Sequence, residues 1–109
     1  MNNKIEHNTF TNQRSDGLSL SYQDAPKINY NEVQSTSIFS NYEGIICQYC
    51  DNEFEINYNK ITNITGTGIL LDRCDGSALD KGILKNNFIH IAGTNAEYGI
   101  YSYYSNYFD

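Results

Sequence analysis

Four asparagines, at positions 8, 31, 59 and 87, recur at spacings of 23, 28 and 28 residues, each inside the same short frame. The frame reads apolar-x-x-Asn-x-apolar and runs from Ile5 to Phe10, Ile28 to Val33, Ile56 to Ile61 and Leu84 to Ile89. A second frame alternates with it: a glycine followed by an aliphatic residue, at Gly17-Leu18, Gly44-Ile45, Gly68-Ile69 and Gly99-Ile100. Seven residues beyond each glycine stands a polar residue suited to a corner, namely Asp24, Asp51, Asp75 and Asn106. A chain built this way folds as stacked copies of one unit, because a single unit cannot bury its own apolar face.

Two solenoids have periods in this range, and the residue types separate them. A leucine-rich unit needs a leucine consensus and a helical return. Here 13 Ile and 10 Tyr favour strands, 15 Asn and 8 Gly supply turns, and no segment between copies has a 3.6-residue apolar period. Each copy instead holds three short strands separated by Asn, Gly and Asp. Stacked in register, Ile5, Ile28, Ile56 and Leu84 form one inward column. Phe10, Val33, Ile61 and Ile89 form a second, and Leu18, Ile45, Ile69 and Ile100 a third. Asparagine tolerates the left-handed backbone region, so the motif asparagines are expected at a corner, bonded amide to amide up the stack.

The Ile-x-x-Asn-x-Ile and Gly-Ile-x-Leu pattern resembles the right-handed parallel β-helix repeats of the pectate-lyase-like superfamily, over nearly the whole chain. The resemblance implies an all-β, single-stranded right-handed parallel β-helix of about four coils occupying residues 1–109. It also implies that the glycine-led strand is the first of each coil and that its outer face lines a substrate groove. The Asp-Asp pair and Gly-His-Gly of polygalacturonases, the Arg-x-Pro-x-x-Arg of pectate lyases and the Asp-Pro-His of alginate epimerases are all absent. No catalytic role therefore transfers residue by residue.

On the outer face of the glycine-led strands the alternation places Ser19, Ser21, Ile46, Gln48, Leu70, Asp72, Tyr101 and Tyr103. Asp16 and Glu43 precede their glycines at equivalent positions, and Glu97 lies two before Gly99. Sugar hydrolysis or elimination needs one acid on the leaving oxygen and a second carboxylate to activate water or attack. Asp16, Glu43 and Asp72 are the candidate catalytic residues. Gln48, Arg73, Tyr101 and Tyr103 are the candidate substrate-binding residues. In the column Tyr22, Tyr49, Arg73 and Tyr104 an arginine between tyrosines suggests guanidinium–aromatic packing, and Arg73 is also able to grip a uronate carboxylate. A separate column of His7, Tyr30, Tyr58 and Asn86 is expected to face outward beside the asparagines, and its two tyrosines offer a second sugar platform.

Thirteen Asp/Glu against seven Lys/Arg give a net charge of −6, the wrong sign for a nucleic-acid partner. No apolar run approaches the roughly 20 residues of a membrane span, and no signal peptide is visible. Cys47, Cys50 and Cys74 lack the spacing of a zinc set or a disulfide framework, so no metal or cofactor is expected. Cys50 and Cys74 share a column and should be neighbouring thiols. Neither end looks like the polar cap a solenoid needs. The expectation is a segment of a longer β-helix, or one that stacks end to end on another copy. The partner class is a polysaccharide or oligosaccharide met outside the cell or at its envelope. Its function is expected to be that of a glycoside hydrolase or polysaccharide lyase; the alternative is a non-enzymatic binding or structural shaft of the adhesin or tail-spike kind.

Overall fold

The computed structural model describes residues 3–35, 41–92 and 98–109. They form short strands that recur in groups of three: β1 (Lys4–Glu6), β2 (Thr9–Thr11) and β3 (Asp16–Ser21), then β4 (Lys27–Asn29), β5 (Glu32–Gln34) and β6 (Glu43–Gln48). The pattern continues through β7 (Glu55–Asn57), β8 (Lys60–Ile64) and β9 (Ile69–Asp72) to β10 (Ile83–Lys85), β11 (Phe88–Ile91) and β12 (Ile100–Tyr103). Every third strand pairs in parallel, giving three four-stranded sheets: β1-β4-β7-β10, β2-β5-β8-β11 and β3-β6-β9-β12. We call these the first, second and third sheets. The chain is a parallel β-solenoid, and the path from β1 to β10 makes three full turns.

The in-register pairs are those the repeat demands: Ile5 on Ile28 on Ile56 on Leu84, and Phe10 on Val33 on Ile61 on Ile89. The middle rungs are sealed, with Ile28, Ile56, Val33, Ile61, Ile45 and Ile69 wholly buried. Each such side chain contributes about 1.5–3 kcal/mol by leaving water. The outer rungs are less covered, and Ile100 departs from its expected inward role at 48% exposure, because no further rung lies against β12 among the described residues.

The asparagine column runs as a ladder. The Asn8, Asn31 and Asn59 side-chain amides each donate to Oδ1 of the next motif asparagine, at 3.3, 3.1 and 3.0 Å. The same Oδ1 atoms accept the backbone N–H of the neighbouring rung's asparagine at 3.0 Å. The amides of Asn31, Asn59 and Asn87 also donate to the carbonyls of Ile5, Ile28 and Ile56. An adjacent partial ladder, from Asn29 to the Asn57 backbone and from Asn57 to the Lys85 backbone, runs in the opposite sense.

The left-handed residue is not the motif asparagine, contrary to expectation. It is the residue before it: His7, Tyr30, Tyr58 and Asn86 have φ of 58°, 57°, 56° and 55°. The amide must point inward to bond along the stack, so the reversal falls on its neighbour, whose side chain swings outward. A second left-handed column, Tyr22, Tyr49, Arg73 and Tyr104, turns the chain from the third sheet back to the first. A non-glycine residue there costs about 1–2 kcal/mol. The outward rings offset part of this: His7–Tyr30, Tyr30–Tyr58 and Tyr22–Tyr49 lie parallel with centroids 5.1, 4.9 and 4.8 Å apart, contacts worth about 0.5–1.5 kcal/mol each.

On the outer face of the first sheet Lys27 Nζ meets Glu55 Oε1 at 2.7 Å. Hydrogen bonding to Lys27 holds the Glu55 carboxyl below its ordinary 4.5, and the same bond raises Lys27 above 10.5. A lowered carboxyl favours the fold above its unfolded value and loses that contribution as pH falls through the folded value; a raised lysine loses its share as pH rises through its own. Glu55→Gln is therefore expected to cost about 0.5–1 kcal/mol near neutrality. The cost should vanish well below pH 4.5, where both chains carry a neutral group. Paired thermal melts of wild type and variant across that range measure it.

Candidate functional site

The third sheet carries the candidate residues, and its register decides which of them meet. Asp16 pairs directly with Glu43, and Ser21, Gln48 and Asp72 align at the far end of the same strands. Glu43 and Gln48 are five residues apart on β6, or about 16 Å at the rise of a strand. The three acids therefore do not converge. Asp16 and Glu43 form one pair at the entry to the sheet, and Asp72 stands alone at its exit, since stacking fixes spacing across the strands while chain position fixes it along them.

The entry end is shaped by glycine and by a tyrosine that sequence reading passed over. Tyr42 is fully buried with no partner for its hydroxyl among the described residues, and that hydroxyl lies 3.3 Å from where a Cβ on Gly17 would stand. Burial, and then the charge of Asp16, push this phenol above its ordinary value. Asp16 accepts from the Ser15 hydroxyl at 3.3 Å. Glu97 lies outside the described residues.

At the exit end the expected binding residues do assemble. Tyr101 and Tyr103 project from β12 with ring centroids 6.4 Å apart, and Tyr98 stacks on Tyr101 at 4.8 Å. Leu70, Asp72, Tyr101 and Tyr103 line an open cleft of about 320 Å³. Gln48 Nε2 donates to Asp72 Oδ2 at 3.4 Å, and Arg73 Nη1 reaches both Asp72 oxygens at 3.3 and 3.4 Å and the Tyr49 hydroxyl at 3.1 Å. The Arg73 guanidinium carbon lies 5.4 Å from the Tyr49 ring centre and 5.6 Å from that of Tyr104, within cation–π range of both. A hydrogen bond with Tyr104 raises the Tyr103 phenol above its ordinary value, so it stays a neutral hydroxyl. Arg73 thus holds Asp72 and packs against the tyrosines of its own column, the packing that their alternation in the sequence suggests.

With this geometry in view, a family model for the right-handed β-helix region matches residues 1–71. The chain belongs to the right-handed β-helix family. No curated protein and no solved structure matches it. In this β-helix the matched segment stops one residue before Asp72, and the strands that follow stay parallel, with one register shift between Ile89 and Ile91 of β11.

The three cysteines of the β-helix are free and buried. Cys50 and Cys74 each donate to the carbonyl two residues back, across the left-handed Tyr49 and Arg73, at 3.6 and 3.7 Å. Gln23 and Ser105 do the same from the same column with an amide and a hydroxyl, at 2.9 and 3.2 Å. The thiols thus occupy a corner-locking position open to several donors. Hydrogen bonding with Cys50, then burial, pushes the Cys47 and Cys74 thiols above the ordinary value, and the same hydrogen bonds from Cys47 and Cys74 hold Cys50 below it. Among the described residues no group of three or more His, Cys, Asp or Glu is arranged to hold a metal ion, and no helix is long and apolar enough to cross a membrane.

Proposed function

We propose that this β-helix binds a saccharide chain along the outer face of its third sheet, with Tyr98, Tyr101 and Tyr103 as the platform and Gln48 and Asp72 as the hydroxyl-reading groups. The observation that carries the reading is the exit cleft, where exposed aromatic rings and a fixed carboxylate converge on one small concavity. Rings supply apolar contact to sugar C–H faces while a carboxylate accepts two hydroxyl protons, the combination of apolar lining and few placed polar groups typical of a ligand site. Tyr101 and Tyr103 are exposed, so their replacement by alanine leaves the core untouched. The double variant is expected to keep the wild-type melting profile and to weaken oligosaccharide binding by about tenfold or more, roughly one step on the affinity scale. Calorimetric titration against immobilised or soluble oligosaccharides measures this, and unchanged affinity refutes the platform.

A catalytic reading rests on one observation, the direct register of Asp16 and Glu43 on neighbouring strands. Parallel strands about 4.8 Å apart can bring two carboxyls to the separation glycoside hydrolysis uses. Its site would be the entry end of the groove, with Asp72 as a binding rather than a catalytic group. Loss of turnover in Asp16→Asn and Glu43→Gln, at unchanged binding, supports it.

A further inference from the structure

Resting on the saccharide reading above, we infer that the chain bound on the third sheet is an uncharged saccharide and not a uronate polymer. Arg73 was the one feature of the sequence that pointed to an acidic sugar, and its surroundings answer that expectation. Its Nη1 is shared by both oxygens of Asp72 and the Tyr49 hydroxyl. Its ring contacts on Tyr49, Tyr103 and Tyr104 lie at 5.4, 6.0 and 5.6 Å. The Arg73–Asp72 pair therefore offers the cleft no net positive charge.

The rest of the face is acidic. Along the strands of the third sheet and the left-handed positions that follow them, the described charged groups are Asp16, Glu43, Asp72 and Arg73. Three carboxylates thus stand against one guanidinium, on a chain whose net charge is −6. A uronate seated against Leu70 and Tyr103 would bring its carboxylate toward Asp72, and a like charge within about 4–6 Å disfavours the ionised form of both. A neutral hexose meets no such opposition. Its hydroxyls find the Asp72 oxygens as acceptors and the Gln48 side chain and Tyr103 phenol as donors and acceptors.

The test titrates the full chain with neutral gluco-, galacto- and manno-oligosaccharides and with an oligogalacturonide of the same length, at low salt where charge effects are largest. The inference expects at least one neutral series to bind about tenfold or more tightly than the oligogalacturonide. It also expects that binding to be lost in Tyr101→Ala/Tyr103→Ala and nearly insensitive to salt. Asp72→Asn should narrow the gap by admitting the acidic chain. Tighter, salt-sensitive binding of the oligogalacturonide, abolished by Arg73→Gln, overturns the inference while leaving the saccharide reading standing. Failure of every oligosaccharide to bind, or binding indifferent to the tyrosines, overturns the reading itself.

Discussion

Asn59→Ala is expected to remove about 3–5 kcal/mol, a large share of the roughly 5–15 kcal/mol that an ordinary domain has. The side chain occupies the centre of the ladder and serves three neighbours at once. Its Oδ1 accepts the Asn31 backbone N–H at 3.0 Å and the Asn31 side-chain amide at 3.1 Å. Its Nδ2 donates to the Ile28 carbonyl at 2.8 Å and to Asn87 Oδ1 at 3.0 Å. Truncation strands a buried N–H, an amide proton and a carbonyl where water cannot enter, and each such orphan costs about 1–3 kcal/mol. Asn59→Asp keeps the acceptor but loses both donations and buries a charge, so it should not rescue. Asn8→Ala is the internal control. Asn8 sits on the outer rung, exposed, and its own Oδ1 serves no described neighbouring rung, so its loss should cost less than half as much. Chemical denaturation of the three variants, read by circular dichroism, orders them.

Which parts of this arrangement could be read in the chain follows from how each is encoded. The parallel register was legible because stacking repeats a residue type at one position in every coil. Four aliphatic residues at Ile5, Ile28, Ile56 and Leu84 leave little freedom in how β1, β4, β7 and β10 pair. The partial ladder of Asn29 and Asn57 was missed for the converse reason: its column reads Glu6, Asn29, Asn57 and Lys85, so only half its members share a chemistry. The left-handed corner was placed one residue late. Asparagine is the residue that ordinarily suits that region, whereas the tyrosines that occupy it do so because their rings stack on the next coil. The Tyr30–Tyr58 contact follows from their shared column, but that it sits on left-handed backbone does not.

The candidate site divides along the same line. Asp16 over Glu43, and Tyr101 and Tyr103 in the company of Asp72, are relations across the stack, which periodicity reveals. The separation of Asp72 from the other two acids is a relation along the strand. It emerges only when the five residues from Glu43 to Gln48 are counted as length. Arg73 was read in two ways, as a guanidinium packed among the tyrosines of its column and as a grip for a uronate carboxylate. The structure shows its charge engaged by Asp72 and its flanks occupied by tyrosines. A charged residue in a solenoid corner is therefore informative about a ligand only after its stacked neighbours have been examined.

Gly44→Ala is expected to cost about 3 kcal/mol or more, a severe effect for the addition of one methyl group. The glycines of the repeated frame look like turn residues, yet none of the described glycines has a positive φ. Their necessity is steric. A Cβ on Gly44 would stand 2.4 Å from the Gly68 carbonyl oxygen and 2.5 Å from Ile61 Cγ2. Gly68 meets the Gly99 oxygen at 2.5 Å and Ile89 Cγ2 at 2.5 Å, and Gly17 the Gly44 oxygen at 2.6 Å and Val33 Cγ1 at 2.2 Å. Each glycine thus lets the second inward column and the next coil's backbone close over the corner together. Because one obstacle is backbone already committed to the sheet, relief requires opening the rung and not a change of rotamer. Gly99 is the contrast within the same column: among the described residues nothing lies within 4 Å of its Cβ position. There alanine should be neutral, or stabilise by about 0.4–1 kcal/mol through the unfolded chain. Denaturant midpoints of Gly44→Ala and Gly99→Ala should therefore move in opposite directions, or at least differ by the full cost of the clash. A shared loss of similar size in both would mean that the column is glycine for its backbone freedom after all.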